Sequence, residues 1–174
     1  MATNLHWVKQ AFDREIHITE NGVEVGRLHR AVFDRDVDAA LHKTQLRFDV
    51  TGFLINTVNI HDLAADNRIV GTITFHFGKR AELTLENGNI YTWKRQNILM
   101  RQWIMIREGV TDADDKEVVN YSLTRQFFVQ EGDMQADLDS PEADIVMLAG
   151  LFIRQYFQRR RRIAAGGAVA AFGV

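Results

Sequence analysis

Ile145-Val146-Met147-Leu148-Ala149-Gly150-Leu151-Phe152-Ile153 is apolar at every position. Just upstream, Ser140-Pro141-Glu142-Ala143-Asp144 carries the signals of a helix start. It has a serine to cap, a proline for the first helical position and acids for the first turn. Arg159-Arg160-Arg161-Arg162 complements the negative end of the helix dipole, so a helix is expected over about 142–162. The nine apolar residues make two and a half turns and leave no polar face. A helix lying on the outside of a sheet shows polar residues around about half of its circumference; one that is apolar all round is surrounded, by protein or by lipid. A nine-residue run rises about 13 Å against roughly 30 Å of hydrocarbon. Arg154 and Gln155 then end it, so protein is the expected surrounding.

The rest of the chain supplies strands to do the surrounding. From Phe12 to about Val129 short alternating runs are separated by tight turns. Asn21-Gly22 lies between Glu15-Ile16-His17-Ile18 and Val23-Glu24-Val25, and Asn87-Gly88 separates Leu83-Thr84-Leu85 from Ile90-Tyr91-Thr92-Trp93. Asn-Gly accepts positive φ at both central turn positions, so both are read as hairpins. Leu46, Phe48 and Val50 share a face. Ile69, Gly71, Ile73, Phe75 and Phe77 are expected on one face of the clearest strand, with Thr72, Thr74 and His76 on the other. Asn97 to Arg107 reads as a strand with Ile98, Met100, Ile104 and Ile106 on one side. Asp34 to Asp38 reads as a polar connection. Nine to twelve strands result. Eight strands leave room only for side chains or one small ligand, so enclosing a helix needs more. The expected fold is mainly β: a closed antiparallel barrel of about twelve strands enclosing the hydrophobic C-terminal helix, in one domain over residues 1–162. A flexible Gly/Ala-rich tail is expected over 163–174.

Composition narrows the function classes. The 174 residues are 46% hydrophobic and 25% charged with a net charge of −2, an ordinary globular balance that argues against coating nucleic acid through bulk charge. The absence of cysteine excludes disulfides, thiolate metal sites and cysteine nucleophiles. The start of the chain lacks the apolar stretch of a secretory signal, and a cytoplasmic location is expected.

A near-all-β chain with Asn-Gly and Asp-Asn turns that ends in one very hydrophobic helix resembles the tubby C-terminal-like superfamily, which includes the tubby, phospholipid-scramblase and LURP-one-related proteins. The resemblance is carried by Asp66-Asn67-Arg68-Ile69-Val70-Gly71-Thr72-Ile73, by Leu83 to Trp93, and by the segment from Asp144 to Arg162. It implies a twelve-stranded barrel around a central helix and, from the better-studied members, work at membranes through phosphoinositides or other lipids. No phosphoinositide-binding motif, palmitoylation cysteine cluster or calcium loop is matched residue by residue.

Catalytic signatures are missing. The six histidines lack metal-ligand spacing, and no Gly-x-Ser-x-Gly elbow, Walker loop or dinucleotide fingerprint occurs. Asp112 to Glu117 is acidic but lacks the length and central glycine of a calcium loop. No enzyme activity and no cofactor or metal are expected. The strongest feature is basic: Arg154 with Arg159, Arg160, Arg161 and Arg162, and a second set of Lys79, Arg80, Lys94 and Arg95, with Arg101, flanking the Gly78 turn and the segment from Trp93 to Trp103. Arginines adjacent on a helix end can grip phosphates or an anionic bilayer; capping of the helix dipole and a core position for Trp93 are the plainer readings. The expectation is a non-enzymatic binding module, peripheral at a membrane, that takes anionic phospholipid or phosphoinositide head groups. The alternative is a protein–protein interaction or scaffold domain. A hollow lipocalin-like carrier would require an amphipathic outer helix, which this one is not.

Overall fold

The computed structural model describes residues 3–11, 13–31, 35–50, 56–78, 80–99, 101–125 and 128–171, with side chains to residue 161. Twelve strands run antiparallel: β1 (Thr3–Gln10), β2 (Glu15–Glu20), β3 (Val23–His29), β4 (Val37–Leu41), β5 (Thr44–Asp49), β6 (Thr57–Asp62), β7 (Arg68–His76), β8 (Arg80–Leu85), β9 (Ile90–Arg95), β10 (Gln102–Arg107), β11 (Lys116–Ser122) and β12 (Val129–Ala136). Each pairs with its sequence neighbours, and β1 closes on β12 to complete a barrel. A single helix, α1 (Ala143–Ala171), follows. Its residues Val146 to Arg154 are all buried. It packs against β4 and β5 on one side and against β8, β9, β10 and β12 on others, so the strands enclose it. The helical backbone continues past Arg162 to Ala171.

The barrel closes because its inner face is apolar and its outer face is wet. Leu5 and Trp7 of β1, Ile16 and Ile18 of β2, and Leu46 and Phe48 of β5 are buried, while His17, Arg27, Arg47 and Lys94 between such positions are not. This is the reverse of an outer-membrane barrel, whose apolar band faces outward. Aromatic rings line the inside. Phe48 stacks on Phe152 of α1 with centroids 4.3 Å apart, Phe75 stacks on Tyr156 at 4.1 Å, and Trp93 meets Phe157 at 5.3 Å. Burying Leu148, Leu151, Phe152 and Ile153 contributes about 1.5–3 kcal/mol each before entropy.

Three side-chain hydrogen bonds set the rotation and height of α1. Trp93 Nε1 donates to the Gly150 carbonyl (3.2 Å), and Tyr121 OH donates toward the carbonyls of Val146 (3.2 Å) and Met147 (3.0 Å). Gly150 makes this possible: a Cβ there would lie 2.1 Å from the Tyr121 oxygen.

Several local expectations are corrected. Register slips where β6 meets β7, with Ile60 opposite Gly71 but His61 opposite Ile69. Val70 is therefore a bulged residue that reverses the alternation, and Ile69 turns outward. Phe77 lies beyond the end of β7 and is fully exposed. The strand expected from Asn97 begins only at Gln102; its inward residues are Trp103 and Met105, while Ile104 pairs with Lys94 on the outer face. Ile98 is exposed in the preceding loop, and Met100 lies outside the described residues. Val37 and Asp38, expected in a polar connection, begin β4. The helix starts at Ala143, and Ser140 Oγ is buried with no hydrogen-bond partner among the described residues, so it does not act as the cap.

The work expected of Ser140 falls to two acids. Glu142 accepts hydrogen bonds from Asn87 Nδ2 (2.6 Å), Asn89 Nδ2 (2.7 Å) and the Tyr91 hydroxyl. Asp144 accepts one from Thr44 Oγ1 (3.0 Å) and lies 2.9 Å from His42 Nδ1. These contacts tie the helix start to β5, β9 and their turns. We call this the entry end of the barrel and the opposite rim, where Arg159 emerges, the exit end.

A cationic cavity at the helix exit

Antiparallel connectivity brings alternate loops to the same rim. The exit end collects the β1–β2, β3–β4, β7–β8, β9–β10 and β11–β12 connections around α1. Between the β1–β4 side of this rim and the helix lies a cavity of about 550 Å³. Lys9, Arg14, Arg30 and Arg159 supply its charge, and Ile16, Leu28, Val37 and Phe152 its apolar wall.

Each cation is positioned by a simple local rule. Lys9 lies near the end of β1, and its Nζ donates to the Asp13 carbonyl across the turn. Arg14 follows in that turn, with Nη1 donating to the Ala31 carbonyl at 3.3 Å. Arg30 directly follows β3. Arg159 comes where α1 leaves the barrel, partly buried. Its pKa is lowered, first by burial and then by the positive charge of Arg30. Two guanidinium groups therefore repel across this part of the rim. Asp13 is the acid of the cavity wall among the described residues, and its Oδ1 accepts the backbone N–H of Arg14 (2.6 Å) and Glu15 (3.1 Å). The Glu15 bond is the main reason its pKa is lowered. The cavity therefore combines a cluster of cations with an apolar wall, which suits an anion attached to something greasy.

Arg154 does not belong to this surface. Only 1% exposed, it sits inside the barrel with its guanidinium carbon 5.2 Å from the Trp7 ring centroid and 4.8 Å from that of Trp103. Nη1 donates to Gln130 Oε1 at 3.4 Å, while Nε, Nη2 and both indole N–H groups have no partner among the described residues. Burial pulls its pKa down to about 10, and the ring faces take the place of a carboxylate. The expectation that Arg154 touches a head group is corrected: the helix carries it inward.

The other nominated cations divide. Arg160 and Arg161 are exposed at the exit, with Arg160 5.8 Å from the Tyr156 ring. The side chain of Arg162 and the whole of Lys79 lie outside the described residues. Arg80 and Lys94 face each other across β8 and β9 on the outer wall, both exposed. Arg95 ends β9 opposite Trp103 and is partly buried. These three share the exit end with Arg159 but lie across the barrel from β1–β3. Trp93 is fully buried in the barrel lining. Lys9, Arg14 and Arg30 escaped the sequence reading because each stands alone at a strand end; only strand parity reveals that they share a rim.

No family model, curated protein or solved structure matches the chain. No helix among the described residues is long and apolar enough to cross a membrane.

Proposed function

We propose that the protein is a non-enzymatic binding module for anionic phospholipid head groups, phosphoinositides included, and that it works peripherally at the cytoplasmic face of a membrane, as the resemblance to tubby-like proteins implies. The observation that carries the reading is the exit cavity, where Arg30 and Arg159 repel beside an apolar wall. A phosphate placed there removes that repulsion and accepts charge-assisted hydrogen bonds from planar guanidinium donors. The wall formed by Ile16, Leu28 and Phe152 accommodates the apolar part of an amphiphile. Arg160 and Arg161 add attraction of about 1 kcal/mol each near an anionic surface.

Co-sedimentation with phosphatidylserine-containing and phosphatidylinositol-phosphate-containing vesicles tests this. Binding should be strong at low salt and fall steeply as salt is added. The Arg30→Ala/Arg159→Ala double variant should bind at least tenfold more weakly. Failure of the native chain to sediment with either vesicle at low salt ends the reading.

A further inference from the structure

Large apolar side chains stand in water at the exit end. Phe77 in the β7–β8 turn is fully exposed, Ile98 and Leu99 in the β9–β10 loop are 81% and 64% exposed, and Phe128, just before β12, is 85% exposed. They occupy three consecutive exit-end connections, so they form one arc of the rim. Phe128 also touches the cavity. Its φ of 60° is costly for a bulky residue, yet the ring gains no burial in return. Exposed cations interleave with these tips: Arg80 after Phe77, Arg101 after Leu99, and Arg125 ahead of Phe128.

The entry end offers the contrast that selects a partner. Val23 and Val110 are exposed there too, but among acids. Asp112, Asp114, Asp115 and Glu117 flank Val110, and Glu20 and Glu24 flank Val23. An anionic surface repels that end and attracts the other. A lipid bilayer also takes up isolated apolar tips at several loops without needing a continuous complementary face.

We infer that the exit rim is a membrane-docking face: the protein stands on an anionic bilayer with Phe77, Ile98, Leu99 and Phe128 inserted among the lipids and the arginines of the rim at the phosphate level. This rests on the head-group reading above and adds an orientation and an inserting set of side chains.

The absence of cysteine makes the test direct. Phe77→Cys, Leu99→Cys, Phe128→Cys and Val110→Cys are each labelled with an environment-sensitive fluorophore and titrated with phosphatidylcholine vesicles, with and without phosphatidylserine. Labels at 77, 99 and 128 should shift to the blue with the serine-containing vesicles, and the label at 110 should not. In parallel, the Phe77→Ser/Leu99→Ser/Phe128→Ser variant should lose about tenfold or more in vesicle binding. All three residues are exposed, so its melting temperature should stay unchanged. If the native chain binds vesicles and loses binding with Arg30 and Arg159, but the serine variant binds normally and no label shifts, the docking face is wrong and the head-group reading survives. A shift at 110 without one at 77, 99 and 128 also overturns it. A native chain that ignores every vesicle, or that sediments only with a protein partner, sinks both.

Discussion

The two ends of the barrel are built from the same strands and do opposite work. At the entry end acids meet neutral donors: Glu142 receives three side-chain hydrogen bonds and Asp144 one more, and the start of α1 is fastened in place. At the exit end cations meet one another. Arg30 raises the cost of charging Arg159, and apolar tips stand in water. Satisfied polar groups stabilise a fold, whereas unsatisfied charge and exposed apolar surface are tolerated where something else is to bind. The difference separates a region that holds the molecule together from one that leaves its interactions open.

That contrast can be broken experimentally. The largest effect is expected between the ends, at Gly150. A Cβ there would meet the Tyr121 hydroxyl at 2.1 Å and its ring carbon at 2.5 Å, so Gly150→Ala should cost about 3 kcal/mol in urea unfolding. At the entry end, Glu142→Ala should lose about 2 kcal/mol by leaving the buried Tyr91 hydroxyl without its acceptor, while vesicle binding stays unchanged. An equal loss of vesicle binding would show that the ends are coupled.

The same acid gives a pH signature. Burial pushes the Glu142 pKa up, but hydrogen bonds from Tyr91, Asn87 and Asn89 outweigh it, and the net shift is downward from the ordinary value of 4.5. A carboxylate with a lower pKa in the folded state stabilises fully above the unfolded value and loses that contribution as pH falls through the folded one. Melting temperature should therefore decline as pH drops below about 4.5, and Glu142→Gln should flatten that decline.

At the exit end, the Arg30→Ala/Arg159→Ala variant should leave stability within about 0.5 kcal/mol while weakening vesicle binding at least tenfold. Smallest when stability and binding are taken together is Arg154→Met. Removing a buried cation that has no carboxylate partner among the described residues offsets the lost contacts with the Trp7 and Trp103 rings, so stability should move by less than about 1 kcal/mol. Vesicle binding should not change. A large loss of binding would return Arg154 to the site.

Local pattern carried the reading well where one face is buried and the turn residues are explicit. Asn21 and Gly22 take positive φ, 50° and 81°, as an Asn-Gly hairpin requires. Asp66 and Asn67 do so as well. Pattern failed where the alternation breaks phase, at the Val70 bulge, and where an outer position is also apolar, at Ile104. The closing pair was the least visible. β1 and β12 are mixed in composition, with His6, Lys9, Gln130, Glu131 and Asp133 among their apolar residues, and their partnership spans most of the chain. Without β1 the strand parity is unknown, and with it the rim to which each loop cation belongs.

By itself the sequence determined that α1 must be enclosed, because a segment apolar around its whole circumference has no side to offer water. It also determined that strands must do the enclosing. Only the tertiary structure decided which charges act together. Arg154 and Arg159 are five residues apart on one helix, yet one is sealed among tryptophans and the other opens onto the rim. Lys9, Arg14 and Arg30, scattered along the chain, converge beside Arg159. Hydrophobic burial is written in local composition, but the meeting of distant charges depends on barrel closure, which no local pattern records.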